Sequence, residues 1–557
     1  MRYALVLVAA TLFAPASAFS ADPPITFQTH PLDRVLADLR AAADLVGGEK
    51  AVKAVNREIK DTFGEKGFEG LDINQPVVGY VILAPKPEDI TAVVVLPITG
   101  EKEFLALCDR ANSVKHKDLG KGLYELPPLD PRYKARMRFS DGHAYIAYGA
   151  KPEPALDPKE LVPAGKLYDP AERGVIAAKF HFDRLTPEVK RAIPTYMAEF
   201  KKEFGTGGFG ALTIIGFGQA EQQVYKDAGA EMEKMFTRYA LLLGGADTAT
   251  VRLSVDVPTS DLVVEATLTP KPDTPLAKEI ADRKPTGNQF GGLLTADTVA
   301  GFKTRLPFFN DELKAAGVKA LEAGQKEAAN TAKAAGKAAA DELFKGLIRT
   351  VKTGEADIVG GVRGPDKDGE FTFVGAIAFE DPAAFEKEFK KFYEADSPQN
   401  ERDRMKWDAA KAGTVNIHTY KFPNDNGFLN PAKIFGGDKC TLAFAFAPKG
   451  VFFVLGPDPI PAMKDALAVK PADSPVLDVV LNPARISKLV EKAGGKALEA
   501  ERALGREDKL LSATSLRVTG GKELTVRFAV NLRLFPRAAA VDTLDADDKK
   551  PDPFEKK

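Results

Sequence analysis

The chain has 557 residues, with 77 Lys and Arg against 78 Asp and Glu and a hydrophobic content of 44%, which is ordinary for a folded protein. A formal net charge of −1 gives no global attraction to nucleic acid or to anionic lipid, so neither is expected as a partner. The length exceeds what one hydrophobic core usually organises, and we therefore expect two domains.

The first 21 residues have the pattern of a secretory signal peptide. Arg2 supplies the positive start, residues 4–13 the apolar core, and residues 16–18 a small-residue cleavage site. That core is too short to remain as a membrane anchor, and no later apolar run is long enough to span a bilayer. We expect an exported protein, periplasmic or extracellular, without a transmembrane anchor and cleaved after Ala18 or Ala21.

The first domain opens with helical spacing of apolar residues from Leu32 to Val46. Gly47 and Gly48 then predict a break before a second helical stretch that ends near Phe63. A strand is expected next, close to residues 77–83.

One strand–helix stretch occurs twice in the chain. Residues 91–104 align without a gap on residues 372–385, at an offset of 281 that extends back to Gly79 and Gly360. Each copy has an apolar strand, a polar turn and an amphipathic helix. Further matches follow in the same order in both halves, namely 124–127 with 420–423, 136–148 with 441–455, 174–184 with 476–485, and 250–268 with 514–534.

This repetition predicts an α+β fold of two tandem homologous domains. Each should be a mainly antiparallel sheet with helices packed on one face. We place the domains at residues 22–270 and 292–537, joined by a proline-rich linker at 271–291. The last residues, 538–557, are rich in Asp, Lys and Pro, which predicts a disordered charged tail.

The second domain begins with an Ala-rich stretch that predicts one long helix at residues 309–351. Its small residues recur at intervals of seven, as at Gly317 and Gly324, and such spacing permits close approach of helices. The stretch is either a solvated helix on its own sheet or a contact with the other domain or a second chain, so self-association through it is possible.

Sequence motifs give little support for catalysis. Residues 205–210 fit G-x-G-x-x-G, but a helical stretch precedes them and an apolar, strand-like stretch follows, the reverse of a dinucleotide site. Ser140, Asp141 and His143 are a tight hairpin turn rather than a triad, because such close neighbours do not easily reach triad geometry. No catalytic residue is assigned, and no cofactor is expected.

Neither the histidines nor the cysteines have metal-site spacing. The five histidines contain no HxxxH or HExxH pair, and the chain has no CxxC. His181 falls on the polar side of a strand, and His418 is expected as an exposed strand residue. A Cys108–Cys440 disulfide is conceivable after export, although two buried free thiols are favoured because Cys108 lies on an apolar helix face.

The signal peptide together with the duplicated strand–helix–hairpin unit resembles large uncharacterised exported proteins of bacteria. The resemblance covers most of the mature chain and implies an envelope or extracellular location. It transfers no functional residue.

Three functions remain open from the sequence. The first is a non-enzymatic binding or structural protein of the bacterial cell envelope, whose partner could be an envelope protein. The second is a carrier of an apolar ligand such as a lipid, suggested by the 35 Phe residues and by strands such as the one containing Leu442, Phe444 and Phe446. The third is a secreted hydrolase with an unrecognised site. A carrier predicts a continuous apolar cavity, whereas a hydrolase predicts titratable groups that converge in a cleft.

Overall fold

A computed structural model describes residues 22–86, 89–128, 130–192, 243–307, 311–331, 333–423, 431–492 and 514–534. The predicted signal peptide, the glycine-rich stretch at 205–210 and the charged tail at 538–557 lie outside the described residues. The chain divides into two compact units, unit 1 at residues 1–257 and 263–278, and unit 2 at residues 258–262 and 279–557. No helix in the described ranges combines the length and the apolar character needed to cross a membrane.

Unit 1 is an α+β structure in which eight of the neighbouring strand pairs, from β1 to β9, are antiparallel. Across the sheet its strands run β10–β9–β8–β1–β2–β3–β7–β6–β5–β4. Its elements in chain order are β1 (Ile25–Pro31), α1 (Leu32–Phe63), β2 (Pro76–Ile82), β3 (Thr91–Pro97), α2 (Glu101–Asn112), β4 (Lys117–Gly120), β5 (Leu123–Leu126), β6 (Lys134–Ser140), β7 (His143–Gly149), α3 (Ala164–Leu167), β8 (Ile176–His181), β9 (Ala246–Asp256), β10 (Asp261–Pro270) and α4 (Pro275–Ala281).

Two glycine-dependent predictions in unit 1 are confirmed. Gly47 and Gly48 leave helical geometry within α1, and Gly48 has a φ of +60°. Asp141 and Gly142, at φ of +49° and +73°, form the tight turn between β6 and β7. The nearby Ser140 and His143 flank that turn as directly paired strand residues.

Unit 2 has the strand order β22–β21–β20–β12–β13–β14–β18–β17–β16–β15. Strand by strand, this is the order found in unit 1. The elements are β11 (Thr286–Asn288), β12 (Thr298–Pro307), α5 (Asp311–Thr331), α6 (Ala334–Thr353), β13 (Glu355–Arg363), β14 (Thr372–Ala378), α7 (Pro382–Asp396), α8 (Gln399–Arg402), β15 (Met405–Ala412), β16 (Val415–Lys421), α9 (Pro431–Ile434), β17 (Thr441–Ala447), β18 (Gly450–Gly456), α10 (Pro459–Leu467), β19 (Ala472–Ser474), β20 (Leu477–Leu481), α11 (Pro483–Lys492), β21 (Thr514–Thr519) and β22 (Leu524–Asn531).

The α+β class and the mainly antiparallel sheet are confirmed, but the expectation of helices on one face only is wrong for unit 2. Strand β17 alternates Ala443 and Ala445 with Phe444 and Phe446, which point to opposite faces. The alanines pack in one core with Met463 of α10. The phenylalanines pack in a second core with side chains of α6 and α7. Both faces at this end of the sheet are therefore covered, because strands that are apolar on both sides need cover on both.

The single long helix predicted at 309–351 is two helices, α5 and α6, and the one-helix prediction is wrong. Lys333 is extended, with φ −69° and ψ 170°, so the chain leaves helical geometry there. The two helices pack together, with Gly324 of α5 against the ring of Phe344 of α6. Ala339 is buried as well, so at these positions small residues serve packing inside the unit.

The proline-rich stretch at 271–291, predicted as a linker, is folded. It contains α4 and β11, and β11 pairs with β19 from Thr286↔Ser474 to Asn288↔Ala472. Proline is tolerated here because Pro275 opens the helix, where its missing N–H has no partner to lose.

Candidate functional site

Unit 2 contains an open cleft of about 760 Å³. Its size falls in the range of roughly 300–1,000 Å³ that is usual for small-molecule sites. Of the described residues that line it, five are cationic and one is acidic, namely Arg283, Lys284, Arg305, Lys314 and Lys522 against Asp282. Thr286, Thr353 and Ser474 add hydroxyl groups to the lining.

Backbone hydrogen bonds at the C-terminal end of α4, which belongs to unit 2 from Glu279 onward, bring three of these charged residues together. The N–H of Gly520 donates to Arg283 O at 3.0 Å, and the N–H of Gly521 donates to Ile280 O at 2.8 Å. Gly521 has a φ of +134°, a conformation that favours glycine. The turn before β22 is therefore fixed to the helix end, and Lys522 lines the same cleft as Arg283 and Lys284.

Two other elements complete the lining. Arg305 lies near the end of β12, where its N–H donates to Val476 O at 2.9 Å and holds the connection between β19 and β20. Lys314 lies in the first turn of α5. Thr353 and Gly354 close the cleft at the C-terminal end of α6, where the helix dipole is negative and favours nearby cations.

Part of this positive charge is balanced inside the unit. Arg305 Nε lies 3.9 Å from Asp357 Oδ1, and Arg283 Nη2 lies 3.7 Å from Glu279 Oε2. Burial raises the pKa of Asp357 above its ordinary value, while the Gln289 N–H that it accepts and the charge of Arg305 oppose that rise.

The remaining cations are three lysines. Within the part of the chain that the structure describes, no ion pair involves Lys284, Lys314 or Lys522. Ammonium and guanidinium groups bind carboxylate and phosphate oxygens through charge-assisted hydrogen bonds, which are stronger than neutral ones. The cleft therefore has the chemistry of an anion-binding site.

A second group of titratable side chains surrounds His418 in unit 2. His418 is 0% exposed, so the expectation of an exposed strand residue is wrong. The backbone N–H of Asp408 donates to His418 Nδ1 at 3.0 Å, which leaves the ring proton on Nε2 to be donated to Glu386 Oε1 at 3.0 Å. The Lys390 ammonium lies 2.8 Å from Glu386 Oε1 and 3.2 Å from Asp408 Oδ1.

This arrangement suits a structural network better than a metal site. One ligand atom each from Glu386, Asp408 and His418 would fit around an ion, since all three lie within 4.8 Å of one another. However, Lys390 already supplies a positive charge to both carboxylates, and Nδ1 accepts a backbone N–H. Burial, followed by the charge of Lys390, lowers the pKa of His418 below its ordinary value. A neutral imidazole is what this hydrogen-bond pattern requires.

Sequence reasoning missed this network because a bulge creates it. The pairing of β15 with β16 shifts between Lys406 and Ala410, so three residues lie opposite His418 alone. Asp408 sits in the bulge with a φ of +51°. The only sequence signal was the spacing of Glu386 and Lys390, four residues apart on an amphipathic helix, which is typical of many solvated helices.

His181 lines a smaller cavity of about 140 Å³ in unit 1. Burial first, and then Arg184 and Lys179, lower the pKa of His181 to about 4. Other groups of this cavity bond to each other, as where the backbone N–H of Asp169 donates to Gln28 Oε1 at 2.7 Å. Its lining carries both signs of charge, with Asp169 and Glu172 beside Lys166, Lys179 and Arg184, so it lacks the excess of one sign that the unit 2 cleft has.

Both cysteines are free and buried, so the disulfide alternative is wrong and the expectation of two free thiols is confirmed. Burial raises the pKa of Cys108 to about 12 and that of Cys440 to about 11. A thiol with so high a pKa carries almost no thiolate at neutral pH, and thiolate is the reactive form.

Comparison with known proteins adds no family to this picture: no family model, no curated protein and no solved structure matches the chain.

Proposed function

We propose that this protein is exported to the bacterial cell envelope and acts there as a non-enzymatic binding protein for an anionic ligand. The observation that carries the proposal is the cleft of unit 2, with five cations and one acid among its described lining residues. Three of those cations are lysines without an ion pair in the described ranges. The signal-peptide pattern of residues 1–21 supports export.

The packing of the aromatic residues favours an anionic ligand over an apolar one. Leu442, Phe444 and Phe446, which motivated the carrier hypothesis, belong to a core cluster with side chains from α6 and α7. The ring centroids of Phe385 and Phe446 lie 5.6 Å apart, and those of Phe389 and Phe444 lie 6.2 Å apart. These rings fill a core by contacting each other rather than enclosing a space for a ligand.

Burial of His418 favours binding over hydrolysis. A general base must reach the proton that it abstracts, whereas His418 is 0% exposed and both ring nitrogens have protein partners. The hydrolase hypothesis gains no support from this cluster.

We also propose that the two units are copies of one α+β unit, as the sequence repeat predicts. The identical strand orders support this. A local feature supports it as well: Phe27 pairs with Gly79 across β1 and β2, and Phe302 pairs with Gly360 across β12 and β13. In each pair the phenylalanine ring approaches the glycine where a side chain would otherwise stand.

Calorimetric titration of the mature full chain with inorganic tripolyphosphate tests the binding site. We expect one binding event whose affinity falls as salt rises from about 20 mM to about 150 mM, because salt screens exposed charges. The double variant Lys314→Gln/Lys522→Gln should bind roughly tenfold or more weakly, since each lost contact of unit charges at about 4 Å removes on the order of 1 kcal/mol.

The matched control is Lys367→Gln/Lys411→Gln, which removes the same charge from exposed positions of unit 2 outside the cleft lining. This control should bind as the unaltered protein does. Equal weakening in both double variants would show attraction by overall charge rather than a site. Absence of binding at low salt would remove the cleft as the ligand site.

A further inference from the structure

One face of the unit 2 sheet carries apolar residues across six neighbouring strands, from β22 to β14. Directly paired residues lie on the same face of a sheet, so the register defines the rows. We call the following three rows the apolar face: Phe528–Leu516–Val479–Phe302–Gly360–Gly375, Val526–Val518–Leu477–Thr304–Ile358–Ile377, and Thr514–Leu481–Ala300–Val362–Phe373.

Large apolar side chains of this face are open to solvent. Phe302 is 42% exposed and Phe528 is 41% exposed, and three more large side chains are at least 36% exposed, namely Leu481, Ile377 and Val526. These residues lie in adjoining rows on neighbouring strands rather than scattered singly over the surface. Contiguous exposed apolar surface of this kind marks an interaction site.

The same face is covered further along the sheet. Ile377 of β14 pairs with Val451 of β18, which pairs with Phe446 of β17. Val451 and Phe446 are buried in the core that includes side chains of α6 and α7. Helical cover is therefore present over β17 and β18 and gives way to exposed side chains at β14.

The shape of the apolar face suits a flat partner. Gly360 and Gly375 could leave a depression in the middle row, but two phenylalanine rings lean over them. A Cβ at Gly360 would lie 3.2 Å from the ring of Phe302, and one at Gly375 would lie 3.1 Å from the ring of Phe373. Small ligands prefer concave sites, whereas sheet faces pack on each other about 10 Å apart.

The extent of the face is sufficient for a weak, specific contact. Six strands at about 4.8 Å and three side-chain rows at about 7 Å cover roughly 600 Å² per copy. Two copies would then bury about 1,200 Å² in total, which is the lower end of the range for specific protein interfaces. If the face packs on the same face of a second copy, one patch covers the exposed apolar surface of both chains. An isologous dimer is built in this way.

We propose that the apolar face is the contact between two copies of this chain. The copies pack sheet against sheet as a reversible dimer. This proposal is independent of the cleft and of its ligand.

Sedimentation velocity of the mature full chain over a range of concentrations tests the dimer. We expect a monomer–dimer equilibrium with a dissociation constant on the order of micromolar. Phe528→Lys and Phe528→Glu should each be monomeric in that range, because a charged side chain would lose its hydration in an apolar contact. Both should keep the melting temperature of the unaltered protein, since Phe528 is already 41% exposed.

The control is Leu119→Lys on β4 of unit 1, which changes a residue of similar exposure, 40%, outside the apolar face and should leave the dimer intact. Should the Phe528 variants unfold, Val526→Glu on the same strand takes their place.

A wild-type chain that stays monomeric at about 100 μM, well above a micromolar dissociation constant, would overturn the proposal. So would a dimer that persists in folded variants of Phe528 or Val526. A monomer that carries a lipid in native mass spectrometry would overturn it in favour of an apolar ligand.

Discussion

His418 shows how one buried polar residue is made compatible with an aromatic core. Its ring is 5.2 Å from the ring of Trp407 and 5.2 Å from that of Phe444, yet both nitrogens have hydrogen-bond partners. A buried imidazole without partners would be costly, so the bulge at Asp408 and the carboxylate of Glu386 are what permit burial. Lys390, 5.4 Å above the Trp407 ring, closes the network with a cation–π contact.

We expect this network to make the folded protein less stable in acid. The pKa of His418 in the folded chain is lowered, mainly by burial and by Lys390, whereas the unfolded chain has the ordinary value of about 6.5. The unfolded state therefore binds more protons below pH ~6.5, and stability present above that pH is lost as the pH falls toward the folded pKa. Urea unfolding at about pH 7.5 and about pH 5.5 measures this loss.

His418→Gln separates this residue from the other titrating groups. The amide keeps a donor and an acceptor but does not titrate, so the variant should lose less stability between the two pH values than the unaltered protein does. A residual loss is expected, because the pKa values of His30 and His181 are also lowered in the folded chain. The same pH dependence in both proteins would contradict the role assigned to His418.

At the scale of single elements, helix α6 shows how close packing is achieved on the sheet. Gly346 is buried against Phe379, and a Cβ at Gly346 would lie 2.2 Å from that ring. One turn later, Thr350 Oγ1 donates to Gly346 O at 2.9 Å and accepts the N–H of Glu380 at 3.0 Å. Glycine and threonine thus fix the helix to the end of β14, and Gly354, with a φ of +92°, ends the helix.

We expect Gly346→Ala to destabilise unit 2 by roughly 1–3 kcal/mol, although alanine favours helices by about 1 kcal/mol. The reason is that the added Cβ would overlap the ring of Phe379, which is 3% exposed and packed in a core cluster with Phe385 and Phe446. The free energy of unfolding in urea measures the effect. Gly287→Ala is the control, because its Cβ would meet only Pro471 at an ordinary 3.9 Å. Equal effects of the two substitutions would contradict the packing argument.

At the scale of the whole molecule, the chain consists of two compact units that share one strand order. Among the described residues, unit 1 has core clusters around Tyr80, Val81 and Phe104, and unit 2 has core clusters around Val454 and Phe446. The basic cleft, the His418 network and the apolar face are all features of unit 2.

Export is the property of the whole chain that is most directly tested. In a bacterial host we expect the full chain in the envelope or medium, with a mature N-terminus at Phe19 or Asp22, because cleavage should follow Ala18 or Ala21. Intact mass measurement of the fractionated protein checks this. A chain without residues 1–21 should stay in the cytoplasm. Recovery of the unprocessed full chain in the cytoplasm would contradict export and the envelope part of the proposed function.

The sequence alone determined the elements whose local pattern is strong. Periodicity predicts the apolar strands, and the backbone freedom of glycine predicts the break at Gly47 and Gly48 and the turn at Asp141–Gly142. Both properties depend only on residues that are close in sequence. The α+β class and antiparallel pairing followed from the succession of hairpins. The break between α5 and α6 could not be predicted from the sequence. Alanine and lysine favour helix, yet the backbone leaves helical geometry at Lys333.

Only the tertiary structure decided which side chains act together. Lys314 and Lys522 are 208 positions apart in the chain, and nothing in the local sequence of either predicts that they line one cleft. The burial of His418 depended on a bulge in a neighbouring strand, and the apolar face on the register of six strands. The local sequence pattern predicts each helix and strand. A site depends instead on the distances between elements, and strand pairing and side-chain packing determine those distances.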